Sequence, residues 1–228
     1  MYKALLADAD MTLFDFIRSE KAAFANLIKD FSIQSGDRLF SRYHDINGSL
    51  WDKYEKGEIT QAGLRIERFR MLIDEFGLGL DAHEVSEGYI KRLGEGSFLL
   101  PGAKEFVVEV SKAMPVVLVT NGISEVQRSR LARSEIAPYI SDIVVSGDVG
   151  AAKPDPEILR VALSRLKLDK KDAVMLGDSL KSDIAAANNI GMDSIWLSPS
   201  GKAADGAILP KYTVTSLSEV LPILGIGA

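Results

Sequence analysis

Short apolar runs that each end on a polar cluster recur along this chain, and no other feature constrains its fold as much. Lys3 to Ala7 leads into Asp8-Ala9-Asp10, Val116 to Val119 into Thr120-Asn121-Gly122, and Ile143 to Val145 into Ser146-Gly147-Asp148. Ala173 to Leu176 leads into Gly177-Asp178, and Ser194 to Leu197 into Ser198-Pro199. Runs of this length with such flanks read as buried strands. Between them lie patterns of helical period, Ser124 to Arg133, Pro156 to Leu166 and Leu180 to Asn189. Strands alternating with helices imply right-handed crossovers and a parallel sheet covered on both faces. The expected fold is therefore α/β, a doubly wound, Rossmann-like parallel sheet.

Residues 16–96 break that rhythm. Phe24, Leu27, Ile28 and Phe31 recur at helical spacing, as do Ala62, Ile66, Phe69, Ile73 and Phe76, with no strand pattern among them. A simple crossover needs only about a dozen residues. The excess reads as an all-helical domain at 16–96 inserted into a core built from 1–15 and 97–228. Pro101-Gly102 marks the return to the core, with Ala103, Phe106 and Val110 as the apolar stripe of the next helix.

Composition removes several function classes. The 228 residues are 46% apolar and 26% charged with a net charge of −5, ordinary for a globular protein. Without cysteine, a disulfide framework, a Cys–zinc site and a Cys nucleophile are excluded. No run approaches the roughly 18–20 apolar residues that cross a bilayer. The amino terminus offers no signal peptide, so a cytoplasmic protein with no membrane partner is expected. An acidic chain without a Lys/Arg block does not suit a nucleic-acid polymer, though free nucleotides remain possible partners. Monomer and dimer are equally compatible with the sequence.

The polar residues collect where such a sheet binds ligands, at the carboxyl ends of its strands. Asp8, Asp10, Thr120, Asn121 and Asp178 all follow predicted strands, and Asp183 lies five residues beyond Asp178. Several carboxylates in a small space repel unless a cation joins them. Mg²⁺ takes oxygen ligands and is commonly held by one or two carboxylates plus substrate phosphate oxygens. Lys153, in Ala152-Lys153-Pro154-Asp155-Pro156, is a second candidate positive charge. A carboxylate kept ionised beside a bound phosphoryl group is a nucleophile, and a second can handle a proton. If the first strand continued, Asp10 would lie on the same side as Asp8. Thr120, Asn121 and the N–H groups of the turn at Gly122 would supply donors to phosphate oxygens where a helix begins.

Asp8-Ala9-Asp10-Met11-Thr12, Thr120-Asn121-Gly122, Lys153-Pro154-Asp155-Pro156 and Gly177-Asp178-Ser179 with Asp183 resemble the four ordered motifs of the haloacid dehalogenase-like (HAD) hydrolase superfamily. The resemblance implies that Asp8 forms an aspartyl-phosphate, while Asp10 protonates the leaving oxygen and later activates water. It implies that Thr120 and Lys153 hold the phosphoryl group. Mg²⁺ would be bound by Asp8, the main-chain carbonyl of Asp10, Asp178 and, directly or through water, Asp183. The helical insertion resembles the family's cap, which closes over small substrates. In that superfamily the second Asp marks phosphatases and phosphomutases rather than dehalogenases.

More narrowly, the first motif with Asn47-Gly48-Ser49-Leu50-Trp51, Tyr54 and Gly57 is similar to bacterial pyrimidine 5′-nucleotidases. The expected function is Mg²⁺-dependent hydrolysis of small phosphomonoesters, pyrimidine nucleoside monophosphates first. Trp51, Tyr54 and Phe14 are candidates to stack on a base. The rivals are a sugar phosphomutase or sugar phosphatase and, from another class, a phosphoacceptor signalling module. Arg65, Arg68 and Arg70 read as a solvated helix face. His44 and His83 lack metal-ligand spacing.

Overall fold

The computed structural model describes residues 1–34, 37–204 and 206–227. They fall into two compact units, Met1–Phe16 with Ser97–Ala228, and Ile17–Gly96. In chain order the helices are α1 (Phe16–Asp30), α2 (Asp37–Glu55), α3 (Gln61–Phe76), α4 (Ala82–Glu95), α5 (Ala103–Ser111), α6 (Ser124–Arg133), α7 (Ser146–Val149), α8 (Glu157–Leu166), α9 (Ala185–Ile190) and α10 (Val220–Ile223). None of the described helices is long and apolar enough to cross a membrane.

The larger unit is built on one sheet of β1 (Ala4–Ala7), β2 (Val116–Thr120), β3 (Asp142–Val145), β4 (Ala173–Gly177), β5 (Asp193–Leu197) and β6 (Tyr212–Val214). Its order is β3-β2-β1-β4-β5-β6 with every pair parallel. The fold is thus α/β with helices on both faces. Successive strand residues face opposite sides. Leu5, Leu118 and Leu176 pack with Phe106, Val107 and Val110 of α5, while Leu6, Val119 and Met175 pack with Ile158, Leu159 and Leu163 of α8. Each such side chain, buried fully, stabilises by about 1.5–3 kcal/mol. With both faces filled, a polar residue has room only beyond a strand's end. The chain leaves β3 on one side of β1 and enters β4 on the other, so the strand order switches at β1 and opens a crevice at the carboxyl ends there.

The predicted strands agree with β1 to β5 within one residue at each end. β6 is absent from the sequence reading. It is a three-residue edge strand in which only Val214 is buried, too short and too wet to register as an apolar run. Leu180 to Asn189 is helical but not uniform. Its first turn, Leu180–Ile184, is a π-turn, a wide form that recurs at functional sites.

The smaller unit holds α1 to α4. Thr60 caps α3 by accepting the Gly63 N–H, and Asp81 caps α4 by accepting that of Glu84; such caps stabilise by about 1 kcal/mol. Stacked and tilted rings form its centre, with Tyr43 at 4.8 Å from Phe24 and 5.4 Å from Phe69. Arg68 corrects the expectation of a solvated arginine face, since it is only 1% exposed. It falls four residues from both Leu64 and Leu72, on the buried stripe of α3. Its guanidinium lies 4.7 Å from the Tyr89 ring centroid, and its Nη1 donates to Asn47 Oδ1 at 3.1 Å. Asn47 in turn donates to buried Glu20 at 3.0 Å, so an acidic group balances the charge through one intermediary.

Candidate active site

Asp8 follows β1 directly. Its N–H still bonds the Leu176 carbonyl at 2.9 Å, which fixes it against β4. The Lys153 side chain, 1% exposed, meets three oxygens, Asp8 Oδ1 at 2.5 Å, Asp183 Oδ1 at 2.7 Å and the Val119 carbonyl at 2.7 Å. The ammonium donates hydrogen bonds to Asp8 and to the Val119 carbonyl, while Asp183 Oδ1 meets it as an ion pair without a hydrogen bond. Asp183 comes from the π-turn, and its Oδ2 accepts the Ser179 N–H at 3.0 Å. A Cβ on Gly177 would overlap the Asp183 carboxylate, so the glycine before Asp178 is a packing requirement. Asp178 Oδ1 accepts from the Thr12 hydroxyl at 3.2 Å, and the Asp178 carbonyl accepts from the Trp196 indole at 2.8 Å.

Asp8, Asp178 and Asp183 can each present an oxygen within 4.8 Å of the others. Against three carboxylates stands one ammonium. Burial pushes the Asp8 carboxyl well above the usual range, with Lys153 opposing and Asp183 and Asp178 adding to the rise. Burial and the charge of Asp183 raise Asp178 to about 7, against the Thr12 hydrogen bond. Burial works against a charged Lys153, but Asp183 and Asp8 outweigh it and hold the ammonium firmly protonated. The excess of buried negative charge and the all-oxygen donor set fit a hard divalent cation.

Linkage gives a direct check on that excess. The folded-state pKa of Asp178 exceeds its ordinary value, so its contribution to stability is whole below 3.8 and lost as pH rises to about 7. Asp178→Asn keeps the oxygen that Thr12 addresses and removes the charge. The metal-free variant is expected to be more stable than wild type at pH 8, by on the order of 2–4 kcal/mol, with the difference vanishing near pH 4. Urea unfolding at the two pH values measures it, and equal stability at pH 8 would show that Asp178 carries no electrostatic penalty.

The remaining predicted residues separate into three groups. Thr120 ends β2, and its Oγ1 accepts the Gly122 N–H at 3.0 Å, a local turn that leaves the hydroxyl able to donate. Asn121 brackets the Lys153 backbone, accepting its N–H and donating to its carbonyl, both at 2.8 Å. That amide therefore positions the lysine. Asp10 does not continue β1, which ends at Ala7, and the chain turns just beyond it at Met11 with φ 61°. Its carboxylate instead reaches Gln127 and Arg130 of α6. Trp51 and Tyr54 lie half-buried on α2 of the smaller unit, edge to face at 5.6 Å. Phe14 cannot stack on a base, since it is fully buried beneath the Arg130 guanidinium, a correction to the aromatic reading.

Thr12, Gln127, Arg130 and Trp196 were not singled out in the sequence as site residues. Thr12 sits within the first motif, and Gln127 and Arg130 share a helix face three residues apart, signals that acquire meaning only once the loops are placed.

The family model described as haloacid dehalogenase-like hydrolase matches residues 2–191. A HAD-hydrolase of Bacillus subtilis, YfnB, is 32% identical over 99% of this chain and 96% of its own. Its magnesium-bound crystal structure superposes with a TM-score of 0.90 over 99% of both chains. The pyrimidine 5′-nucleotidases YjjG of Escherichia coli and PynA of Streptococcus pneumoniae are 31% and 30% identical, over 95% and 98% of this chain and 95% of each of theirs. A match of that length, with an Asp8–Lys153–Asp183 cluster at the switch point of a parallel sheet, makes this chain a member of the haloacid dehalogenase-like hydrolase family.

Proposed function

We propose that the chain is a Mg²⁺-dependent phosphomonoesterase working through an aspartyl-phosphate on Asp8, with pyrimidine nucleoside monophosphates as preferred substrates. The observation that carries the reaction type is Asp8 itself, 8% exposed and ion-paired to Lys153 at the sheet's switch point. Asp8 attacks phosphorus as the ester P–O bond breaks, and Asp10 passes its proton to the departing oxygen. Water then attacks the aspartyl-phosphate and gives a proton to Asp10, which frees Asp8 and inorganic phosphate. Asp8, Asp178, Asp183 and the Asp10 carbonyl would hold Mg²⁺, which supplies charge to the anionic phosphoryl group. Thr120 donates to a phosphoryl oxygen. Lys153, buried between Asp8 and Asp183, acts through its charge.

The nucleotide preference draws on the full-length likeness to YjjG and PynA. On this reading Trp51 and Tyr54 provide the aromatic surface for the base. The test is phosphate release from pyrimidine and purine monophosphates, sugar phosphates and p-nitrophenyl phosphate, with Mg²⁺ or with a chelator. Release confined to the Mg²⁺ arm and greatest for pyrimidine nucleotides is expected, and chelator-resistant release counts against the metal. Base stacking contributes about 1–3 kcal/mol. Trp51→Ala should therefore raise KM for uridine monophosphate roughly tenfold while leaving p-nitrophenyl phosphate hydrolysis within about twofold. An equal effect on both substrates would remove Trp51 from base recognition.

A further inference from the structure

We propose that Gln127 and Arg130 are positioning residues for Asp10, and that residue 122 is glycine so that the Gln127 side chain can reach the carboxylate. The inference rests on the proposed function, in which Asp10 gives and takes the proton.

Both oxygens of Asp10 are engaged from one helix. Oδ2 accepts from Gln127 Nε2 at 2.6 Å and Oδ1 from Arg130 Nη1 at 2.5 Å. The two donors are one helical turn apart on α6 and face the same way. Gln127 is 3% exposed and Arg130 is 0% exposed. A fully buried guanidinium is uncommon unless a partner compensates its desolvation, and this one is directed at a carboxylate outside the Asp8–Asp178–Asp183 group. The ring of Phe14, bridged to Asp10 through the backbone, backs the guanidinium at 4.8 Å and fixes its plane. On the other side, a Cβ at Gly122 would stand 2.8 Å from both Cγ and Cδ of Gln127. Any larger residue there would displace the amide from Asp10. Three separate stretches, the exit of β1, the exit of β2 and α6, thus agree on one carboxylate orientation.

The chemical consequence follows from geometry. A partly exposed Asp samples several rotamers, and only some place an oxygen where a leaving group or water can share its proton. A misplacement of about 1 Å can cost on the order of 100-fold in rate. Gln127 and Arg130 act through Asp10, so their loss should lower kcat and leave KM nearly unchanged.

The experiment compares wild type, Gln127→Met, Asp10→Asn and the double variant, each with Mg²⁺. The two substrates are a nucleoside monophosphate, whose alkoxide needs a proton to leave, and p-nitrophenyl phosphate, whose nitrophenolate does not. Gln127→Met is expected to lower kcat about 10- to 100-fold on the nucleotide, less on p-nitrophenyl phosphate, with KM within twofold. In the Asp10→Asn background the same change should cost nothing further. Arg130→Lys, which keeps the charge and loses the planar fork, reads the same coupling should Gln127→Met not fold. An unimpaired Gln127→Met beside a crippled Asp10→Asn overturns the inference alone, as does an equal loss in the Asp10→Asn background. A fully active Asp10→Asn overturns both the inference and the reading beneath it.

Discussion

Asp8→Asn is expected to abolish phosphate release, a fall on the order of 10⁵-fold or more, as removal of a covalent nucleophile does in other hydrolases. The substitution changes little else. Asparagine is close to isosteric, and its amide oxygen can still accept from Lys153, which approaches Asp8 Oδ1 at 2.5 Å. What disappears is a negative charge and a nucleophilic oxygen. Because Asp8 is crowded by Asp183 and Asp178 in a buried site, losing its charge relieves repulsion, and the fold should be as stable as wild type or more so. Activity and stability therefore move in opposite directions, which separates a lost nucleophile from a damaged fold. Hydrolysis of p-nitrophenyl phosphate with Mg²⁺ and the urea midpoint of the same sample measure the two. Turnover within tenfold of wild type would end the covalent mechanism.

How much of this was legible in the sequence depended on whether a residue's surroundings were local. The β1 to β5 strands were readable because a sheet buried on both faces demands unbroken apolar runs, and their carboxyl ends followed from where those runs stop. Asp8, Asp178, Asp183 and Lys153 could be suspected as one group because parallel topology brings strand ends together. The structure places their charged atoms within reach of one another. Partnerships that depend on how loops and side chains are placed were not legible, whether near or far along the chain. Nothing in Gly122 announces that Gln127 must pass it, nor in Gly177 that Asp183 occupies its Cβ position. Asn121 read as a phosphate donor because it follows a strand, yet its amide is committed to the Lys153 backbone 32 residues away. Arg68 misled for a related reason. Residue type pointed outward, while its place midway between Leu64 and Leu72 pointed inward, and the aromatic rings and Asn47 decided the matter.

Lys153→Met should show how completely one ammonium holds this site together. The side chain is buried, and it is the only cation that contacts either Asp8 or Asp183 among the ion pairs of the described residues. Methionine fills similar volume without charge, so packing is largely kept while the buried carboxylates lose their partner. Breaking a buried pair from one side costs about 3–5 kcal/mol, because the remaining charge is left uncompensated. That loss is expected at pH 8 in metal-free protein. It should shrink toward pH 5, since Asp8 and Asp178, whose pKa values are raised already with the lysine present, take up protons more readily without it. Mg²⁺ should restore part of the loss at pH 8, because a ligand that binds only the folded state stabilises it by mass action. Catalysis should not return, for the charge opposite the phosphoryl group would still be missing. Urea unfolding at both pH values, with and without Mg²⁺, distinguishes the causes. A deficit equal at pH 5 and pH 8 would assign the cost to packing and refute an electrostatic role for Lys153.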